Sequence, residues 1–174
     1  RCTCPAGAFS LAPCAPSPDI RVRGAAQEIR GPDGGMWFTS AYGGMITRVT
    51  TAGVETDFPL PGADGVGVAL QSLVSGPGNK LWFIRSGQDA IGSITTSGTV
   101  AMFPTPKGIA FTSGIASGPD GAIWFTARTN KAARGLVGRL ATDGSFRIFD
   151  LGSYIPRAIQ SDGSQLWIGS EIVG

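Results

Sequence analysis

A chain of 174 residues, 42% of them apolar, is enough for one ordinary domain with a real core. Its 27 glycines and 12 prolines suit many short strands joined by tight turns. The formal charge of +2 lies within residues 1–24 and the rest is balanced, so no basic stripe exists to hold nucleic acid, and no apolar run of 18 residues exists to span a membrane.

Residues 1–24 are rich in Pro, Ala and Cys, show no periodicity, and read as a tail or linker. Cys2, Cys4 and Cys14 all fall here. Their number is odd, they form no CxxC pair, and the chain has no histidine to complete a zinc site. Free thiols in a tail are the simpler reading, a disulfide in an exported chain the sharper one. No secretory signal pattern is present, so the compartment stays open between cytoplasm and export. The opening at Arg1 rather than Met reads as a processed chain or a piece of a longer one.

From Ala25 onward the chain repeats. Trp37, Trp82, Trp124 and Trp167 follow one another at intervals of 45, 42 and 43 residues, each after a glycine-containing turn and one apolar residue. A period near 43 with several strands per copy predicts an all-β fold, a β-propeller of four-stranded antiparallel blades. The blades fall at about 25–60, 68–104 and 112–150, with a half-blade at 156–174.

The third copy shows the predicted elements most clearly. An inner strand spans Gly114–Ser117, and a Gly118-Pro119-Asp120-Gly121 turn follows. Pro presets φ, Asp suits the next position and Gly tolerates positive φ. Ala122–Thr126 is a second strand, apolar on both faces. Leu136–Ala141 is a third, Thr142-Asp143-Gly144 a hairpin signal, and Ser145–Asp150 the outer strand. The first copy matches with Met45–Thr50 and Val54–Phe58, the second with Ile91–Thr95 and Thr99–Phe103. Glu28 and Arg30 sit on the first inner strand, where charge marks an end blade and blunts an exposed edge.

Two turns per copy hardly vary and form one rim. The loops Ser40–Gly44, Arg85–Ala90 and Ala127–Gly135, and the links Pro59–Val68, Pro104–Ser113 and Leu151–Arg157, vary and form the other. Variable loops on a rigid scaffold are where function sits. A small-molecule or peptide ligand is therefore expected on that rim, near the central channel, with Tyr42, Arg85, Phe111 and Arg128 as candidate ligand-binding residues. The arginines suit an anionic or carbonyl-rich ligand, against the alternative of solvated loop charges. The aromatics suit stacking, against simple capping of the channel. The four Trp read as filling between blades, and Asp33 and Asp120 as turn residues rather than calcium ligands. Ser40, Ser113 and Ser170 have no base and no nucleophile elbow.

The run Gly118-Pro119-Asp120-Gly121-Ala122-Ile123-Trp124-Phe125-Thr126, followed by Val137-Gly138-Arg139-Leu140-Ala141-Thr142-Asp143-Gly144, resembles the repeat of the virginiamycin B lyase (streptogramin B lyase) family, as do Phe58-Pro59-Leu60-Pro61 and Phe103-Pro104-Thr105-Pro106. The resemblance covers about residues 25–174 and implies a seven-bladed propeller. It also implies a lyase that linearises a cyclic depsipeptide by elimination at an ester, with a divalent metal, usually magnesium, a histidine base and acidic rim residues.

The chain departs from that pattern at its chemistry. It has no histidine, and the acid expected after Trp-Phe-Thr is Ser40, Arg85, Ala127 and Ser170 in the four copies, with Glu171 one position later in the last. No catalytic residue, metal ligand or cofactor is therefore assigned to this chain, and magnesium is expected only in an intact family member. Three and a half blades do not close a ring of four to eight. Missing blades or a second copy are expected to cover the open faces. The functional readings are a segment of a lyase, a ligand- or protein-binding propeller without turnover, and a structural repeat segment of a larger exported protein.

Overall fold

The computed structural model describes residues 2–3, 15–16, 25–40, 44–62, 70–85, 89–131 and 134–172. Two short strands, β1 (Cys2–Thr3) and β2 (Ala15–Pro16), pair antiparallel within the segment expected to be a tail. The first blade is β3 (Ala25–Arg30), β4 (Met36–Ser40), β5 (Met45–Val49) and β6 (Glu55–Pro59). The second is β7 (Leu70–Gly76), β8 (Lys80–Arg85), β9 (Ala90–Thr95) and β10 (Val100–Pro104). The third is β11 (Ile109–Ser117), β12 (Ile123–Thr129), β13 (Gly135–Leu140) and β14 (Phe146–Gly152). The half-blade is β15 (Tyr154–Ser161) and β16 (Leu166–Ile172). Every blade is an antiparallel meander in chain order, and together they form part of a β-propeller.

The scaffold rim rests on one turn used five times. Gly34 donates to the Gly31 carbonyl, Gly53 to Thr50, Gly98 to Thr95, Gly121 to Gly118 and Gly144 to Ala141, all at 2.9–3.1 Å. In each, the donor glycine has φ between 70° and 93°, a left-handed conformation that side chains with Cβ rarely adopt. These are the Pro-Asp-Gly and Thr-x-Gly signals of the sequence, so the constancy of the rim follows from local chemistry.

The inner strands are longer than their sequence pattern suggests. β11 starts at Ile109 and β15 at Tyr154, inside the expected links. Each inner strand carries a register shift, between Ala25 and Gln27, Gln71 and Leu73, Phe111 and Ile115, and Pro156 and Ala158. The shift breaks the apolar alternation on which strand prediction depends, while the ladder resumes beyond it.

Packing lies between blades. Trp37, Ile46 and Leu60 of the first blade meet Leu70, Leu73, Leu81, Phe83 and Ile94 of the second. Trp82, Ile84 and Ile91 of the second blade meet Ile115, Ile123, Phe125, Leu136 and Leu140 of the third. Against the half-blade the buried cluster is only Ala116, Val137 and Ile159, with Trp124, Leu151 and Leu166 at its edge. Alternate residues of β8 serve opposite interfaces, so Leu81–Arg85 is buried throughout. Each Trp of the first three blades stacks on a Phe of its own outer strand: Trp37 on Phe58, Trp82 on Phe103 and Trp124 on Phe149, with centroids 5.4–5.6 Å apart. The interior role expected for the Trp series holds for Trp37 and Trp82, which are buried, while Trp124 is half-buried at the edge of the last interface.

One glycine is set by close approach. Gly138 lies opposite Phe125 in the ladder, and a Cβ there would stand 2.0 Å from the Phe125 Cζ. Phe125 is fully buried and has nowhere to retreat. In the first blade Thr47 occupies the same rung, opposite a half-buried Phe38. Gly138→Ala is expected to cost about 2–3 kcal/mol by overpacking, read as a lower urea midpoint at constant slope. An unchanged midpoint would mean that the ring can move aside.

Candidate functional site

The ladder brings the four positions of the family's acid onto one equivalent rung. Ser40 pairs with Ala25, Arg85 with Leu70, Ala127 with Phe111 and Ser170 with Pro156; Ala25, Phe111 and Pro156 lie just before the register shift of their inner strand, and Leu70 one residue earlier. These rungs are the rim-side ends of the second strands. Ser40 and Ala127 are buried there.

Arg85 corrects the picture of a loop arginine. It is the last residue of β8, cross-paired to Ala90, and only 2% exposed. Its guanidinium donates from Nη1 to the Pro61 carbonyl at 2.7 Å and from Nη2 to the Gly62 carbonyl at 2.9 Å. It therefore clamps the start of the link between the first two blades, and its Nε is buried without a hydrogen-bond partner. Phe111 is half-buried and packs edge-on against Phe125, 5.4 Å between centroids. Arg128 is exposed in β12, opposite Ala110 and Gly135, and next to the Ala127–Phe111 rung. The loop beside it is short: Thr129 exchanges hydrogen bonds with Arg134, and Arg134 pairs with Asp150 at 2.8 Å. Tyr42 lies outside the described residues. The structure thus places Arg128 and Phe111 on neighbouring rungs of one blade and turns Arg85 into the scaffold of another.

The sequence pattern did not reveal the pairing of Arg157 with Glu171. Arg157 is the residue bulged out at the β15 register shift, and its Nε donates to Glu171 Oε1 at 2.9 Å. Both are exposed at the rim end of the half-blade. A bulge re-aims one side chain, which a two-residue alternation does not predict.

Four of the described carboxylates pair with arginines. Asp33 meets Arg48 and Asp120 meets Arg139, both at 2.5 Å, besides the pairs of Asp150 and Glu171. Burial pushes Asp33 upward, but the Trp37 indole, the Gly35 amide and Arg48 outweigh it and hold the carboxyl below its usual range. Asp120 is held down likewise by Trp124, Arg139 and the Ala122 amide against burial. Among the described residues no group of three His, Cys, Asp or Glu side chains converges as a metal site.

A second concavity lies elsewhere. About 550 Å³ opens along the inner strands of the last three blades, lined by Leu73, Val74, Ile115, Ser117, Ile159 and Gln160 among others. It reaches Ser161 and Gly163 at the turn rim rather than the variable one.

Comparison with known proteins decides the family. The sequence profile of the virginiamycin B lyase family matches residues 16–172. The chain belongs to the virginiamycin B lyase family. Among solved structures, virginiamycin B lyase from Staphylococcus aureus is 30% identical with a TM-score of 0.69, over 89% of this chain and 50% of that one. A catalytically inactive His-to-Ala variant of virginiamycin B lyase from Staphylococcus aureus, with quinupristin, is 31% identical with a TM-score of 0.70 over the same shares. A streptogramin B lyase structure, 24% identical with a TM-score of 0.56 over 89% of this chain and 64% of that one, shares the fold. The chain therefore spans about half the length of the first two virginiamycin B lyases. A search of curated protein sequences returns no match.

Proposed function

We propose that residues 25–172 are the non-catalytic part of a virginiamycin B lyase-like propeller, whose intact form opens a cyclic depsipeptide by elimination at its ester. This arc supplies scaffold and one side of the ligand rim. The supporting observation is family membership without the family's chemistry: the chain has no histidine, and its four rim positions carry Ser40, Arg85, Ala127 and Ser170. General-base catalysis needs a group able to accept a proton near neutrality, and these four positions offer arginine, serine and alanine instead. Arg128 is the exposed rim group that suits carbonyl oxygens of a depsipeptide.

Quinupristin with magnesium tests the reading. Elimination opens the ring without change of mass, whereas hydrolysis adds one water, so chromatographic retention and mass together separate the two. The chain alone is expected to leave retention and mass unchanged while binding saturably, and Arg128→Ala to weaken that binding at least threefold. Ring opening above a heat-denatured control would overturn the non-catalytic assignment. Equal binding by the Arg128 variant would remove Arg128 from the rim site. A longer protein carrying these residues, but lacking histidine and free rim carboxylates, would end the lyase reading. It would leave a binding propeller without turnover as the second reading.

A further inference from the structure

The interface between the first two blades buries two polar atoms that have no hydrogen-bond partner among the described residues. One is Oγ1 of Thr39, a fully buried residue. The other is Nε of Arg85, whose two Nη groups already donate to the Pro61 and Gly62 carbonyls. Side chains two apart on a strand share a face. Thr39 therefore points the same way as Trp37, which packs against the second blade, and Arg85 the same way as Phe83, which packs against the first. The two face one another across a single gap between sheets. Their heights agree to within one rung, because Ser40 and Arg85 close equivalent second strands and Thr39 immediately precedes Ser40.

The neighbouring blades show what these positions hold otherwise. Between the second and third blades the corresponding residues are Ile84 and Ala127, both buried and apolar. In the third blade Thr126 stands where Thr39 does, and its hydroxyl accepts from the Gly114 amide at 2.9 Å. The hydroxyl left without a partner is thus the one that faces an arginine. Charge sharpens the point. Among the described residues no carboxylate pairs with Arg85. Two carbonyls satisfy N–H groups but do not neutralise a guanidinium, and a buried cation without a counter-charge is costly. Both orphaned groups can donate, the Nε–H always and the hydroxyl by rotation. Two donors facing one gap beside an uncompensated cation suit an anion. A water molecule would satisfy both and leave the charge.

We propose that a small monovalent anion with the size and charge of chloride binds between Arg85 Nε and Thr39 Oγ1, at the rim end of the interface between the first two blades. It accepts a hydrogen bond from each and neutralises the guanidinium that holds the start of the link. The site lies wholly between two four-stranded blades. It stands independently of the lyase reading, because it uses neither Arg128 nor any ligand of the rim.

Chloride itself serves as the probe, in urea unfolding at constant ionic strength. Replacing gluconate by chloride from about 1 to about 100 mM is expected to raise the folded-to-unfolded ratio at least about threefold, since an anion bound only by the folded chain stabilises it by mass action. Thr39→Val keeps the side-chain shape and removes the hydroxyl, so it is expected to fold and to lose most of that response. Thr39→Ser is expected to retain it, and Arg85→Met to abolish it. Crystals grown with bromide should show its anomalous signal between the two atoms. No chloride response in the native chain, or an equal response in Thr39→Val, would overturn the proposal. So would ordered water in place of bromide. A response that appears only in Asp64→Asn would overturn it too, by making that carboxylate of the link, which lies outside the described residues, the counter-ion of Arg85.

Discussion

Trp37→Ala is expected to remove about 4 kcal/mol of stability, and Trp167→Ala less than about 1 kcal/mol. The residues hold equivalent places in the repeat, so the difference isolates what the neighbouring blade contributes. Trp37 is fully buried, stacks on Phe58 and sits among Leu70, Leu73 and Phe83 of the next blade. Its loss opens a cavity, and it removes the indole donor to Asp33, leaving that carboxylate with Gly35 and Arg48. Trp167 keeps its bond to Asp162 but is 62% exposed. In a repeat array, stability is nearly a sum of unit terms and interface terms. The half-blade interface is the smallest, so Trp124→Ala is expected to fall between the two. Urea unfolding of the three variants checks the order. Equal losses at Trp37 and Trp167 would mean that the indole works through its turn alone, not through the interface.

The same comparison explains what could be read from the residues. Turns governed by local chemistry were legible: Pro32-Asp33-Gly34 and Asp143-Gly144 needed nothing beyond their own backbone preferences. The Trp interval was legible because each copy buries the same ring in the same place. The start of β11 was not, because its register shift sits between Phe111 and Ile115 and breaks the alternation there. The second role of Asp33 and Asp120 was hidden as well, because their arginines lie on another strand. In the second blade Gly78 and Ser93 replace the aspartate and the arginine together, and that matching loss was the one sequence signal available. Arg85 was read as the first residue of a variable loop, whereas it closes β8, and its place in the sequence does not say where a long side chain turns. Its direction is set by the two carbonyls of a link that differs in every blade.

Arg85→Ala is expected to cost about 3 kcal/mol, and Arg85→Met about 1 kcal/mol. The alanine loses two charge-assisted hydrogen bonds, at 2.7 and 2.9 Å, and leaves a hole where a 2%-exposed side chain stood. Methionine refills most of that volume. The carbonyls it abandons belong to Pro61 and Gly62, which are exposed, so water replaces the lost donors. The buried Nε without a partner already makes the native arrangement less favourable than the two bonds alone suggest. Arg85→Lys keeps the charge but gives up the planar fork that reaches both carbonyls at once, and is expected to fall between the other two. Hydrogen exchange separates a clamp from simple filling. In both the Met and Ala variants the amides of the 60–62 link should exchange faster, while those of β8 stay protected in Met. If the link exchanges as in the native chain, Arg85 fills space and does not hold the loop. If it exchanges faster, this part of the rim is shaped by the scaffold before any ligand arrives. Loss of binding in an Arg85 variant would then report a displaced loop rather than a lost contact.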